Sequence, residues 1–138
     1  MGEISFIIPG APKGKARPRV TRYGTYTPQS TREYEALVRK CWQESGAEPF
    51  PADTALYCTV SAYFAIPESY SKKRKKALAF TPHTKKPDCD NIAKAVLDAL
   101  NGLAFHDDSA IAKLTVEKIY TDANPYVGVV IIDTPPIE

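Results

Sequence analysis

Apolar and polar positions alternate along four stretches of this chain and recur every three to four residues along two others. Glu3–Ile8 alternates as a first strand and is closed by Pro9-Gly10. From Leu56 onward the alternation is long. Leu56, Cys58, Val60, Ala62, Phe64 and Ile66 share one face, and Tyr57, Thr59, Ser61 and Tyr63 share the other. That pattern predicts a strand half buried against helices. "AIAKLTVEKIYT" and "YVGVVIID" read as two further strands, and the "DANP" turn between them predicts an antiparallel hairpin. "VTRYGTYT" predicts two short strand pieces about a Tyr23-Gly24 turn.

The helical period is clearest after Pro28. Tyr34, Leu37, Val38, Cys41 and Trp42 form one apolar stripe, Ser30 and Glu33 suggest a capping box, and Gly46 is a natural stop. A second stripe comprises Ile92, Val96, Ala99, Leu100 and Leu103, with Asp90 as the expected N-cap and Asn101-Gly102 as the end. Asn91, Lys94, Asp98 and Asn101 fall on its polar face. A short basic helix is expected within "SYSKKRKKALAF", started by Ser69 or Ser71. No repeat, linker or second domain interrupts residues 1–138, so one domain is expected.

Composition is that of an ordinary globular chain, 43% hydrophobic and 25% charged, and no apolar run is long enough to span a bilayer. Cys41, Cys58 and Cys89 lack metal-ligand spacing and read as reduced thiols in a cytoplasmic protein. The net charge of +2 conceals clustering, because 12 of the 18 basic residues stand in three places. Lys13, Lys15, Arg17, Arg19 and Arg22 fall in a proline-rich segment that reads as a mobile basic loop. Lys72, Lys73, Arg74, Lys75 and Lys76 form a second block, and Lys85 and Lys86 a third. A single such run is usually a solvated face; three flanking an acidic cluster point to a polyanion partner.

The acidic cluster lies in "KPDCDNIAKAVLDALNGLAFHDDSA". Asp88 and Asp90 precede a short helix and Asp107 and Asp108 follow it, so the two pairs can meet only if the returning segment folds back beside the helix start. Singly, each has an ordinary role as cap or turn residue. A calcium loop starting at Asp88 fails, since Ile92, Ala93 and Ala99 occupy positions that need an oxygen ligand, a glycine and a glutamate. Zinc is a poor match, because only Cys89, His83 and His106 could add softer donors. Carboxylates with room for water suit Mg²⁺ or Mn²⁺ shared with a substrate phosphate, and Lys94 is the cation placed to offset charge on that phosphate.

These residues closely resemble the signature of the RusA family of Holliday-junction resolvases, endonucleases carried by bacteria and their prophages. The shared pattern is Pro-Asp-X-Asp-Asn, a lysine four residues after the second aspartate, Asp-Ala-Leu-Asn, and a closing Asp-Asp. The early "GKARPRVTRYGTYTP" and the basic segment from Pro67 to Phe80 resemble their counterparts there. The resemblance implies an α+β fold, a small mixed sheet packed against two main helices, in an intertwined homodimer. It implies Mg²⁺-dependent resolution of four-way DNA junctions by paired symmetric nicks, in DNA recombination and repair. Asp88, Asp90, Lys94 and Asp108 take the catalytic roles by motif match, and Asp88, Asp90, Asp108 and Asp107 the metal-binding ones. The three basic clusters are expected to contact DNA phosphates. Cys89 departs from the usual aliphatic residue and is expected to point into the core. Tyr23 and Tyr26 are expected to pack the hairpin, and His106 to be a solvated loop residue. The long alternating strand and the first helix are candidate contributors to a dimer interface. Two alternatives stand beside this reading: a nuclease acting on flaps, forks or simple duplex, and a DNA-binding protein whose metal is architectural.

Overall fold

A computed structural model describes residues 2–16, 19–26 and 28–134, with the backbone alone at residues 19 and 26. Four strands build the main sheet. β1 (Glu3–Pro9), β4 (Leu56–Ala65), β5 (Ile111–Thr121) and β6 (Tyr126–Ile132) lie in the order β1-β6-β4-β5. β6 runs antiparallel to both its neighbours, and β4 runs parallel to β5. The sheet is therefore mixed. The expected β5–β6 hairpin does not form, because β4 is inserted between them. The reason lies in the burial pattern: Val127, Val129 and Ile131 are inward residues that complete their packing between β1 and β4, two strands of matching alternation. A separate two-stranded ribbon pairs β2 (Arg19–Thr21) with β3 (Gly24–Tyr26). Gly24, at φ 124, takes the turn position a side chain would strain. Tyr23 does not pack this hairpin; it is 89% exposed, with the Arg22 guanidinium 5.4 Å from its ring centre.

Two helices cover one face of the sheet, as expected. α1 (Gln29–Glu44) buries Thr31, Tyr34, Val38 and Trp42, while Leu37 and Cys41 sit at the core margin. The Ser30–Glu33 capping box is absent: the helix starts after Pro28, and Glu33 instead accepts a 2.8 Å hydrogen bond from Gln29. Proline supplies a fixed φ at this boundary, so Ser30 is already helical and cannot cap. α3 (Cys89–Leu100) buries Ile92, Val96, Ala99 and Leu100 together with Ala93 and Ala95. Its alanines let the backbone approach the sheet closely. The inward residues of the strands, Ile4, Phe6, Ile8, Leu56, Cys58 and Val60 among them, meet these two helices in one core cluster.

Between β4 and α3 lies α2 (Lys72–Leu78), capped by Ser71, whose hydroxyl accepts from Arg74 N at 3.1 Å. After it, residues 80–83 run along the far half of β5: Phe80 N donates to Tyr120 O, Tyr120 N to Thr81 O and His83 N to Lys118 O, each at 2.9 Å. This short seam carries the chain from the basic helix to the start of α3. Among the described residues, no helix is long and apolar enough to cross a membrane.

Candidate active site

α3 begins two residues earlier than expected. Asp88 occupies the N-cap position without a capping side-chain bond, and Asp90 lies in the first turn. A carboxylate in either place is favoured by the positive end of the helix. The first turn stands in solvent, with Asp88, Cys89 and Asp90 all exposed. Cys89 therefore does not enter the core, because the buried stripe starts one turn later, at Ile92. Lys94, also exposed, follows Asp90 by four residues on the same face, about 6 Å further along the axis. Among the described residues, the side chains of Asp88, Asp90 and Lys94 have no hydrogen-bond or ion-pair partner.

The basic segment before β2 is not a loose loop in its described half. Lys15 N donates to Asn91 O at 2.9 Å and Ala16 N to Thr31 Oγ1 at 3.4 Å, which pins the segment between α1 and α3. Gly14 permits the approach: a Cβ there would lie 2.9 Å from Pro87 Cβ and 3.1 Å from Asn91 Cβ. Lys15 does not face solvent. Its Nζ sits 3.0 Å from Glu35 Oε1 and 3.3 Å from Asp98 Oδ2. Burial pulls its pKa down, but the two carboxylates more than offset this, and the pKa is raised. Asp98 thus pairs with Lys15 rather than with Lys94 on its own helix. Lys13 stays exposed and, with Lys86, Ser30 and Asp88, lines an open cleft of about 570 Å³.

Lys118 organises the opposite wall. Its Nζ donates to the carbonyls of Lys85 and Pro87, the latter at 2.9 Å, and so fixes the segment that presents Asp88. Nothing in the sequence marked Lys118, because its partners lie some thirty residues away. His83 is stacked on Phe64 with ring centres 3.7 Å apart, and burial with the nearby Lys118 and Lys85 charges lowers its pKa. It serves the wall of the seam.

Asp107 and Asp108 lie at the other end of α3. Asp108 N donates to Asn101 Oδ1 at 3.0 Å, and Asp107 caps a single 3-10 turn over Asp108–Ala110 by accepting from Ser109 N at 3.1 Å. The bonds with Ser109 hold the Asp107 carboxyl below its ordinary range. Asn101 ends α3, so these two aspartates stand about 18 Å of helix away from Asp88 and Asp90. The returning segment does not fold back beside the helix start. Among the described residues, no three His, Cys, Asp or Glu side chains are grouped to hold a metal ion. His106 is an exposed loop residue.

Of the expected DNA-binding residues, Lys13, Arg22, Lys72, Lys73, Lys76, Lys85 and Lys86 are positioned towards solvent. Arg74 lies 3.5 Å over the Tyr70 ring, and Lys75 is 3.8 Å from Glu68. Arg17 lies outside the described residues, as do the side chains of Arg19 and Tyr26.

Exposed paired acids stand beside a cleft rimmed by Lys13 and Lys86, on a mixed sheet with two covering helices. The chain belongs to the endodeoxyribonuclease RusA family, whose model matches residues 9–132. That family consists of nucleases that hydrolyse DNA phosphodiester bonds in branched DNA and depend in general on a divalent metal. The chain is also 33% identical over 139 residues to "Uncharacterized protein YqaN" of Bacillus subtilis (strain 168), covering 93% of this chain and 94% of that one.

Proposed function

We propose that this chain is a Mg²⁺-dependent resolvase, with Mn²⁺ able to substitute, that cuts four-way DNA junctions by paired nicks as a homodimer. The observation that carries the reading is the cluster at the start of α3. Exposed, uncommitted Asp88 lines a cleft whose rim carries Lys13 and Lys86, and Asp90 and Lys94, exposed as well, follow it on the first turns of the same helix.

The donor set suits a hard divalent cation, since all four candidates are carboxylates. One chain presents only half of them at the start of α3, and the distant position of Asp107 and Asp108 favours a second copy that returns them to the site. Asp88 and Asp90 of one copy with Asp108, and Asp107 beside it, of the other are the proposed ligands. A bound divalent ion supplies a polarised water and stabilises in-line displacement at phosphorus. Lys94 offsets the charge that grows on the phosphate oxygens. Lys13 and Lys86 hold neighbouring phosphates and fix the strand's path through the cleft, while Lys15 braces the cleft floor through Glu35 and Asp98. A two-fold enzyme then offers two equivalent sites to the two equivalent strands of a junction.

The test is cleavage of a synthetic four-way junction with Mg²⁺, beside a flap and a linear duplex of matched sequence and an EDTA control. Symmetric nicks confined to the junction are expected. Equal cutting of flap or duplex would make this a general branched-DNA nuclease. Junction binding without any cutting would assign the aspartates to architecture.

A further inference from the structure

One aromatic side chain of this fold is both strained at its backbone and left in water. Phe80 stands just past the C-terminus of α2, after the cap residue Ala79, at φ 65. That is the left-handed region, where glycine is the usual occupant after a helix and a bulky side chain is disfavoured. The conformation is imposed by bonds on either side. Ala79 N donates to Lys75 O at 3.0 Å, Phe80 N to Tyr120 O at 2.9 Å and Thr81 N to Leu78 O at 3.0 Å. The Thr81 hydroxyl donates to the same Leu78 carbonyl at 2.6 Å. The backbone is thus over-determined, as a persistent strained residue requires. Burial does not offset the strain, because Phe80 is 66% exposed. Among the described residues, no second ring stacks on it and no cation lies over it, in contrast to Tyr23 beneath Arg22 and Tyr70 beneath Arg74.

The surroundings of this ring are those of a nucleic-acid surface. Lys72, Lys73 and Lys76, exposed on α2, precede it, and exposed Lys85 and Lys86 follow it. The seam along β5 ties it to the segment that presents Asp88. Phe80 is bonded beside Tyr120 and His83 beside Lys118, two β5 residues or about 7 Å apart. The Lys118 amine in turn holds the carbonyls of Lys85 and Pro87, immediately before Asp88. An uncovered aromatic face held rigidly among cations has the chemistry to take an unstacked base, with lysines on the phosphates and the ring on the base.

We infer that Phe80 is a base-stacking residue that selects branched DNA over linear duplex. The inference deepens the proposed function and rests on it for the identity of the substrate. In a linear duplex each base is covered on both faces by its neighbours, so an aromatic ring enters only by unstacking them. At a branch point that stacking is interrupted, and a base face is open to Phe80 without the penalty. The surrounding lysines contact the phosphates of either DNA and do not make this distinction. Phe80 contributes selectivity where the cations contribute affinity. With its backbone fixed from both sides, the ring loses little freedom on stacking.

The test is gel-shift titration in EDTA, so that nothing is cut, on a four-way junction and a linear duplex of matched sequence. The parent is expected to prefer the junction. Phe80→Gly is expected to lose about 10-fold or more in junction affinity, the usual effect of removing one base stack, with duplex affinity unchanged to about twofold. Its melting temperature should equal or exceed the parent's, because glycine suits φ 65 and no buried contact is lost. Phe80→Trp should keep the preference, and its emission should fall on binding the junction but not the duplex. Phe80→Leu, apolar without a flat face, should lose the preference. A parent that binds both DNAs alike overturns the inference. So does a junction preference retained in Phe80→Gly or Phe80→Leu, and if those variants still cut the junction the proposed function stands. Self-association lost in Phe80→Gly, read by sedimentation, would assign the ring to a protein contact and overturn the inference as well. A preference that depends on the aromatic ring, in a parent that cuts no DNA with Mg²⁺, upholds the inference and removes the nuclease.

Discussion

At the scale of single residues, the proposed chemistry falls on side chains with little else to do. Asp88, Asp90 and Lys94 are exposed and unpartnered among the described residues, whereas neighbouring Lys15, Glu35 and Asp98 are bound to one another. Asp90→Asn is therefore expected to lower junction cleavage at least about 100-fold while leaving junction affinity and melting temperature near those of the parent. Gel-shift and cleavage assays on one preparation check both. Lys15→Met is expected to destabilise the fold by about 1–2 kcal/mol, since it leaves two partly buried carboxylates facing each other, and denaturant titration reads this directly. The pH dependence has a definite sign. The folded-state pKa of Lys15 is raised above its unfolded value near 10.5, so its contribution is complete below that pH and is lost as pH rises through the folded pKa. The stability gap between parent and Lys15→Met should shrink only in that alkaline range. Lys15 looked in sequence like one more DNA-binding cation, because its partners are distant along the chain. The common placement of Asp88, Asp90 and Lys94 at one exposed helix start was legible because their spacing is local.

At the scale of elements, alternation revealed every main strand, and the three-to-four period both large helices. Strand order was not legible. The "DANP" turn is a sound hairpin signal, but β4 outcompetes β5 for the edge of β6, a result of long-range packing that no local turn encodes. The approach of residues 12–16 to the start of α3 was equally hidden, since it depends on Gly14 fitting against Pro87 and Asn91. Gly14→Ala should force that segment away, costing about 1–3 kcal/mol by denaturant titration and reducing cleavage more than binding. α2 makes a different prediction. Lys72, Lys73 and Lys76 are exposed on a helix whose other cations are engaged with Tyr70 and Glu68. Replacing all three with Ala should weaken junction binding and flatten its salt dependence by about 0.9 in log–log slope for each phosphate no longer neutralised. An unchanged slope would remove α2 from the DNA interface.

At the scale of the whole molecule, the fold separates what the sequence groups. The two aspartate pairs are close along the chain and lie at opposite ends of α3, because Asn101 fastens the closing pair to the helix C-terminus. Sequence proximity suggested a cluster within one chain; in the proposed enzyme that cluster requires two. The most direct measurement is a mixing experiment with two inactive variants, Asp88→Asn and Asp108→Asn, unfolded together, refolded and assayed on a four-way junction with Mg²⁺. In a site shared between copies, the mixed dimer holds one intact site, built from Asp88 of one chain and Asp108 of the other. Cleavage should then return to about a quarter of the parental site number, as single nicks rather than paired ones. If each site is instead built within one chain, every site in the mixture lacks an aspartate, and the mixture stays as inactive as either variant alone.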